Sequence, residues 1–309
     1  MKIFLTGATG YVGSRVAERL KARGHSVVGL VRSDEARQRL RAQGMDAVID
    51  DLAQPSSLVE AARAADGVIH TAFNHAGDFF EEVRTERRAI EAMLDALRGS
   101  GKPFVTTNGT GVLGDTGTVP ADDGFAVNPE FPAAVRAEFE TLLKEATSDN
   151  VRTVVLRLPI LLYGHGQSVL LPVLVDTAKR TGVAYYIGKG QNRLSTAHVQ
   201  DAAELFVLAL EKAAAGSIFN VSVGEPVSGV ELAKAVCEAV GGDCRVESIS
   251  FEKAGEVWNP FFALLLSMNN QVFARRAMTE LGWQPSGNPT LLNDLARGSY
   301  RQPAAAQAG

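Results

Sequence analysis

The sequence predicts an α/β fold, a doubly wound parallel sheet followed by a smaller, mixed C-terminal domain. Three observations predict it. Short apolar runs alternate with amphipathic stretches over about the first 160 residues. The runs are apolar throughout, as strands covered on both faces are. A glycine-rich turn joins the first run to the first helical stretch. With right-handed crossovers, this alternation gives a Rossmann-type doubly wound parallel sheet.

Each element has its own signal. Ile3-Phe4-Leu5 is the first strand. A helix follows over 11–23, with Val12, Val16 and Leu20 on one stripe and Arg23-Gly24 as its stop. Strand two is 27–31. A polar helix over 34–42 has Asp34 as its expected N-cap. Strands at 47–49 and 68–69 alternate with helices at 56–65 and 81–97. Strands at 104–107 and 154–158 flank a helix at 135–146. After residue 165 the alternation loosens, with helices at Val199–Lys212 and 230–240 and a strand at 218–221.

The composition excludes several functions. The 309 residues carry 31 Lys+Arg against 35 Asp+Glu, a net charge of -4. With a pI near 5.8 there is no basic excess for nucleic-acid binding. The longest apolar runs, 169–175 and 261–266, fall far short of the roughly twenty residues that span a bilayer. The apolar start ends too early, at Thr6-Gly7, for a signal peptide. Two cysteines, Cys237 and Cys244, make neither a disulfide framework nor a zinc set. Five histidines lack ligand spacing, so no metal site is expected. A cytoplasmic location is expected.

The strongest motif is Thr6-Gly7-Ala8-Thr9-Gly10-Tyr11-Val12-Gly13. Between a strand and a helix its glycines have distinct uses. Gly7 turns the chain sharply, Gly10 admits a pyrophosphate to the backbone, and Gly13 lets the helix lie close to the sheet. The helix N-terminus then offers free N–H groups to the phosphates. At the end of strand two, where an acidic residue would read the ribose of NAD, stand Arg32 and Ser33. A guanidinium there grips a 2′-phosphate, so NADP(H) is expected in preference to NAD(H). Arg37 lies one helical turn further on.

This motif at the N-terminus resembles the extended short-chain dehydrogenase/reductase superfamily, which includes the NAD-dependent epimerase/dehydratases. Further segments are similar: Asp50-Asp51-Leu52, Val68-Ile69-His70-Thr71-Ala72, Arg157-Leu158-Pro159 with Tyr163-Gly164, His198-Val199-Gln200-Asp201, and Leu281-Gly282-Trp283-Gln284-Pro285. The resemblance implies cofactor contacts from Thr9, Tyr11, Val12, Asp51, Leu52, Thr71, Ala72, Phe73, Thr107, Arg136, Leu158 and Pro159. It implies an NAD(P)-binding domain over 1–165, with 191–225 returning to it. A substrate-binding domain covers 166–190 and 226–300, and 301–309 is a flexible tail. It also implies a homodimer through helices 81–97 and 135–146.

The superfamily's chemistry uses Tyr-x-x-x-Lys after the fifth strand, and this sequence lacks it. Alignment on Glu140 sets Arg136 at the Lys position and Pro132 at the Tyr position. Proline has no hydroxyl, and arginine does not release its proton. Asn108 stands where a Ser is expected and is the expected oxyanion donor, with Thr107 or Thr110 as alternatives. His75 is the first candidate for the missing proton. Tyr163 and His165 come next, then Asp122 and Asp123. His70 and His198 read as structural. Tyr185 and Lys189 have the right spacing, but Gly188 and Gly190 argue against the shared helix face. Aromatic segments at 79–80, 125–131 and 258–262 are candidates for an apolar pocket or for core.

The function expected is an NADP-dependent oxidoreductase acting on a small carbonyl, alcohol or imine. Two alternatives stand: a nucleotide-sugar epimerase/dehydratase, and a non-catalytic NADP-binding sensor or scaffold.

Overall fold

The computed structural model describes residues 1–75 and 77–301. Apart from Arg301, the tail expected at 301–309 lies outside the described residues. The first half alternates as expected: β1 (Lys2–Thr6), α1 (Tyr11–Ala22), β2 (Ser26–Val31), α2 (Asp34–Ala42), β3 (Asp46–Ile49), α3 (Pro55–Ala64), β4 (Gly67–His70), α4 (Phe79–Leu97), β5 (Pro103–Gly109), α5 (Ala137–Ala146) and β6 (Arg152–Leu158). Then come β7 (Leu161–Tyr163), α6 (Leu171–Thr181), β8 (Val183–Ile187), β9 (Arg193–Leu194), β10 (Thr196–His198), α7 (Val199–Lys212) and β11 (Ser217–Asn220). The chain ends with β12 (Val227–Ser228), α8 (Gly229–Val240), β13 (Arg245–Ile249), α9 (Phe251–Val257), α10 (Pro260–Ser267), α11 (Arg275–Leu281) and α12 (Leu291–Arg297).

Seven strands form one sheet in the order β11-β6-β5-β4-β1-β2-β3. Every neighbouring pair in it is parallel. Successive side chains on a strand point to opposite faces, and β1 shows the consequence. Ile3 and Leu5 enter the core under α1 and α7, while Phe4 enters the one under α3, α4 and α5. All three are fully buried. Each such side chain stabilises the fold by about 1.5–3 kcal/mol relative to an exposed one. Helix α7 shares its core cluster with β1 and α1, and β11 lies on the sheet edge beside β6. A separate cluster joins α6, β8, α8, α10 and α12, with β13 paired to β8.

Three local expectations change, and a fourth holds. Ser33, not Asp34, caps α2: its hydroxyl oxygen accepts from the Ala36 N–H at 3.2 Å. Helix α4 starts two residues early because Asp78 accepts from both Phe80 N and Glu81 N. The helix expected over 135–146 begins as a 3-10 turn, Pro132–Arg136, before α5. Pro132 initiates that turn, having no N–H to leave unpaired. Tyr185 lies in β8, so it shares no helix face with Lys189.

Candidate active site

The strand order fixes where a ligand sits. The chain steps outward from β1 through β2 to β3, then returns to β4 on the other side of β1. The crevice at the carboxyl ends of β1 and β4 is therefore a topological switch point, where open α/β sheets bind ligands. The glycine-rich turn follows β1 at this point. Gly7 has φ +74°, and a Cβ there would meet Thr71 Oγ1 at 2.8 Å and Ala72 N at 2.9 Å. A Cβ on Gly13 would lie 2.0 Å from Gly7 O. Gly10 caps α1 without a side-chain bond, and the first turn of α1 holds no acid. Its N–H groups are thus unspent on side chains, and nothing acidic repels a phosphate. This turn fits a dinucleotide pyrophosphate, which the unpaired backbone N–H groups of the first turn of α1 would hold.

The adenosine end of such a dinucleotide would lie toward β2 and β3, as the ribose-reading position at the end of β2 implies. Arg32 is exposed and forms no bond among the described residues. Arg37 is different: it pairs with Asp34. Asp51 accepts from Ala53 N at 2.9 Å, and Leu52 packs on the core. Thr9 belongs to the turn. Ala72 backs Gly7, while Thr71 donates to Thr6 O at 2.8 Å.

On the β4 side the crevice opens into a cleft of about 240 Å³ between the main sheet and the C-terminal elements. Tyr11, Val12, Thr71, Phe73, Thr107, Asn108, Arg136, Leu158 and Pro159 are thereby brought together, with His75 at the mouth. Most of the wall is apolar. Phe79 of α4 meets Phe261 of α10 at 5.2 Å between ring centroids. Phe262 and Leu265 continue that wall. Thus two of the three aromatic segments reach the cleft. Phe125 does not, and Phe131 packs in the C-terminal cluster.

Arg136 is the key polar group. Its Nε and Nη2 donate to Glu86 Oε2 and Oε1 at 3.1 and 2.6 Å. Nη1 forms no bond among the described residues. Its guanidinium carbon stands 4.7 Å over the Phe73 ring. Glu86 is 1% exposed. Burial works to raise its carboxyl, but Arg136, with His70 beside it, holds it below the ordinary carboxylate range. His70 Nε2 lies 3.7 Å from Glu86, and His70 Nδ1 lies 2.7 Å from Thr6 Oγ1. A buried polar chain therefore runs from the cleft to the residue before the glycine turn.

A second buried pair stands behind the first. Arg157 Nε and Nη2 donate to Glu140 at 2.8 and 2.6 Å. Asn108 Nδ2 donates to Glu140 Oε1 at 2.9 Å and to Arg136 O at 3.2 Å. Its Oδ1 accepts from Gly109 N. The expectation that Asn108 donates to an oxyanion thus meets an amide already spent on the wall. Thr107 lines the cleft, whereas Thr110 does not.

A match to the NAD dependent epimerase/dehydratase family covers residues 3–222. The chain belongs to that family. It is 38% identical over 301 residues to an uncharacterized protein of Schizosaccharomyces pombe, covering 97% of this chain and 100% of that one. It is 30% identical over 261 residues to the 4-hydroxy-2-methyl-3-oxo-4-farnesyl-3,4-dihydroquinoline-1-oxide ketoreductase of Stigmatella aurantiaca, covering 82% and 78%. The solved Thermus thermophilus UDP-glucose 4-epimerase in complex with NAD is similar in fold, with TM-score 0.76 and 23% identity over 96% and 97% of the two chains. The family is one of NAD-dependent epimerases and dehydratases, and one similar protein is a ketoreductase.

Within the family, the Pro132–Arg136 turn is the departure that matters. Residues three apart share a face of a 3-10 helix. Ala133 and Arg136 accordingly face the cleft, while Pro132 lines a separate outer groove. No hydroxyl is delivered from this turn. Tyr11 is the cleft's tyrosine, and burial, then Tyr300, raise its pKa, the reverse of an activated acid–base phenol. Tyr163 is buried and donates to Pro289 O at 2.8 Å. His165 lies beside Gln200, and Asp123 Oδ1 accepts from Asn220 N. Asp122 accepts from Gly124 N at 2.9 Å. None of these four lines the cleft. Among the candidates for the missing proton, that leaves His75, whose ring meets Phe73 edge-on at 5.0 Å. Desolvation, then the Arg136 charge, hold its pKa below the ordinary histidine range. Sequence reading missed Glu86. Its signal was a carboxylate within the apolar stripe Val83, Ile90 and Met93 of α4.

Proposed function

We propose that this protein is an NADP(H)-dependent reductase of small apolar carbonyl compounds. The apolar cleft, with Arg136 and His75 beside the dinucleotide turn, carries the reading. A bound nicotinamide dinucleotide supplies or accepts hydride. Arg136 Nη1 donates to the substrate oxygen and stabilises the charge that grows on it. His75 holds the proton that the oxygen takes up. The phenylalanine wall excludes water and packs the carbon skeleton. The similarity to a ketoreductase supports this reading. The cleft offers neither the acid–base tyrosine nor the polar lining a sugar nucleotide calls for, which disfavours the epimerase reading. A sensor remains the second reading, favoured by the clamped Arg136. Absorbance at 340 nm with NADPH and a panel of alkyl and aryl ketones separates the two. Turnover of any ketone supports the reductase; tight NADPH binding without turnover supports the sensor.

Two results are expected. Arg32→Ala weakens NADPH binding by about 10–100-fold, the loss of one phosphate contact of about 1.4–2.8 kcal/mol, and leaves NADH binding unchanged. Fluorescence titration of both nucleotides checks it, and equal losses for both would remove the 2′-phosphate role. The second concerns pH. Reduction needs the imidazolium form of His75, and its lowered pKa leaves the neutral form dominant at pH 7. The kcat/KM for reduction therefore rises as pH falls through the His75 pKa, and that for alcohol oxidation falls over the same window. His75→Ala flattens both profiles. Unchanged profiles in that variant would assign the proton elsewhere.

A further inference from the structure

We infer that Glu86 makes the cleft selective for uncharged carbonyl substrates over carboxylate-bearing ones, by neutralising Arg136 while leaving its Nη1 edge free to donate. This rests on the proposed reductase site and names its substrate class. Arg136 is the one permanent charge among the described residues lining the cleft. An isolated guanidinium in an apolar cleft would be an anion receptor, since low dielectric strengthens the attraction. Here Glu86 is 1% exposed and takes the Nε–Nη2 edge in a two-point bond, one of the two edges on which a guanidinium pairs a carboxylate. The pair sums to zero charge. What remains facing the cleft is a hydrogen-bond donor that serves a neutral oxygen well and a carboxylate poorly. Glu86 is buried in the wall, with His70 Nε2 3.7 Å behind it and His70 in turn bonded to Thr6, so the carboxylate is a positioning group built into the wall rather than a mobile counter-ion. The aromatic wall agrees, because among the described residues lining the cleft no second permanently charged side chain offsets the desolvation of a substrate carboxylate.

The test is a matched pair of probes, 3-oxo-3-phenylpropanoate and its methyl ester. Each is titrated by calorimetry into the full-length protein with NADP⁺ present. Wild type is expected to bind the ester about tenfold or more tightly than the acid. Glu86→Gln is expected to shift that ratio about tenfold toward the acid, and Glu86→Asp, which keeps the charge, to leave the wild-type order. A purely structural role for Glu86 would lower both affinities together and leave the ratio unmoved, which overturns the inference. So would wild type binding the acid as tightly as the ester, or binding neither. The wild-type ratio decides the matter if Glu86→Gln does not fold. Ester binding without NADPH oxidation would defeat the reductase reading and leave the selectivity standing.

Discussion

Glu140→Ala is expected to destabilise the protein by about 3–5 kcal/mol, the cost of leaving a buried charge without its partner. Arg157 is 3% exposed, and Glu140 takes two of its donors. Its other bond, from Nη1 to Asp123 O, is 3.3 Å long and cannot supply a counter-charge. Asn108 loses its Glu140 bond at the same time, so β5, β6 and α5 all lose a tie beside the cleft. In a chain of this size the loss corresponds to roughly 5–8 °C in Tm. Thermal and urea unfolding of wild type, Glu140→Ala and Glu140→Gln check it. Glutamine keeps hydrogen-bonding capacity and should lose less than alanine. A loss under about 1 kcal/mol in the alanine variant would show that the pair is dispensable to the fold.

Gly13→Ala is expected to abolish dinucleotide binding, with a loss of at least about 100-fold, or 2.7 kcal/mol. The new Cβ would lie 2.0 Å from Gly7 O and 2.6 Å from Gly7 C, both backbone atoms. Neither can yield as a side-chain tip does, so α1 must move away from the turn that it completes. Overpacking of this kind also lowers stability, by about 1–3 kcal/mol. Gly10→Ala is the informative companion. Its Cβ would meet only Gly7 O, at 3.1 Å, and its φ is -79°, open to any residue. That variant is expected to keep most of its stability and lose binding, because the Cβ stands where the pyrophosphate approaches. Equal nucleotide affinity in Gly13→Ala and wild type would show that α1 does not need this close approach.

The sheet and the turn were readable because their signals are local. Alternating apolar runs give β1 to β6, and three glycines between a strand and a helix give the phosphate turn. Element ends were less readable, since caps compete: Ser33 took the position expected of Asp34, and Asp78 drew α4 back to Phe79. The cleft was partly readable. Arg136 and His75 were singled out by type and place. The partner that changes what Arg136 does was not, because Glu86 lies 50 residues away on another helix.

Sequence alone therefore determined the class of fold, the dinucleotide turn, the family resemblance and the loss of the Tyr-x-x-x-Lys pair, all of which are written in short-range spacing. Only the tertiary structure decided what fills the gap. Pro132 starts a 3-10 turn whose three-residue repeat aims Ala133 and Arg136 at the cleft. Packing of α4 beside that turn then buries a carboxylate against the guanidinium. Charge in a low-dielectric wall is set by which side chains meet there, and chain separation does not reveal that meeting.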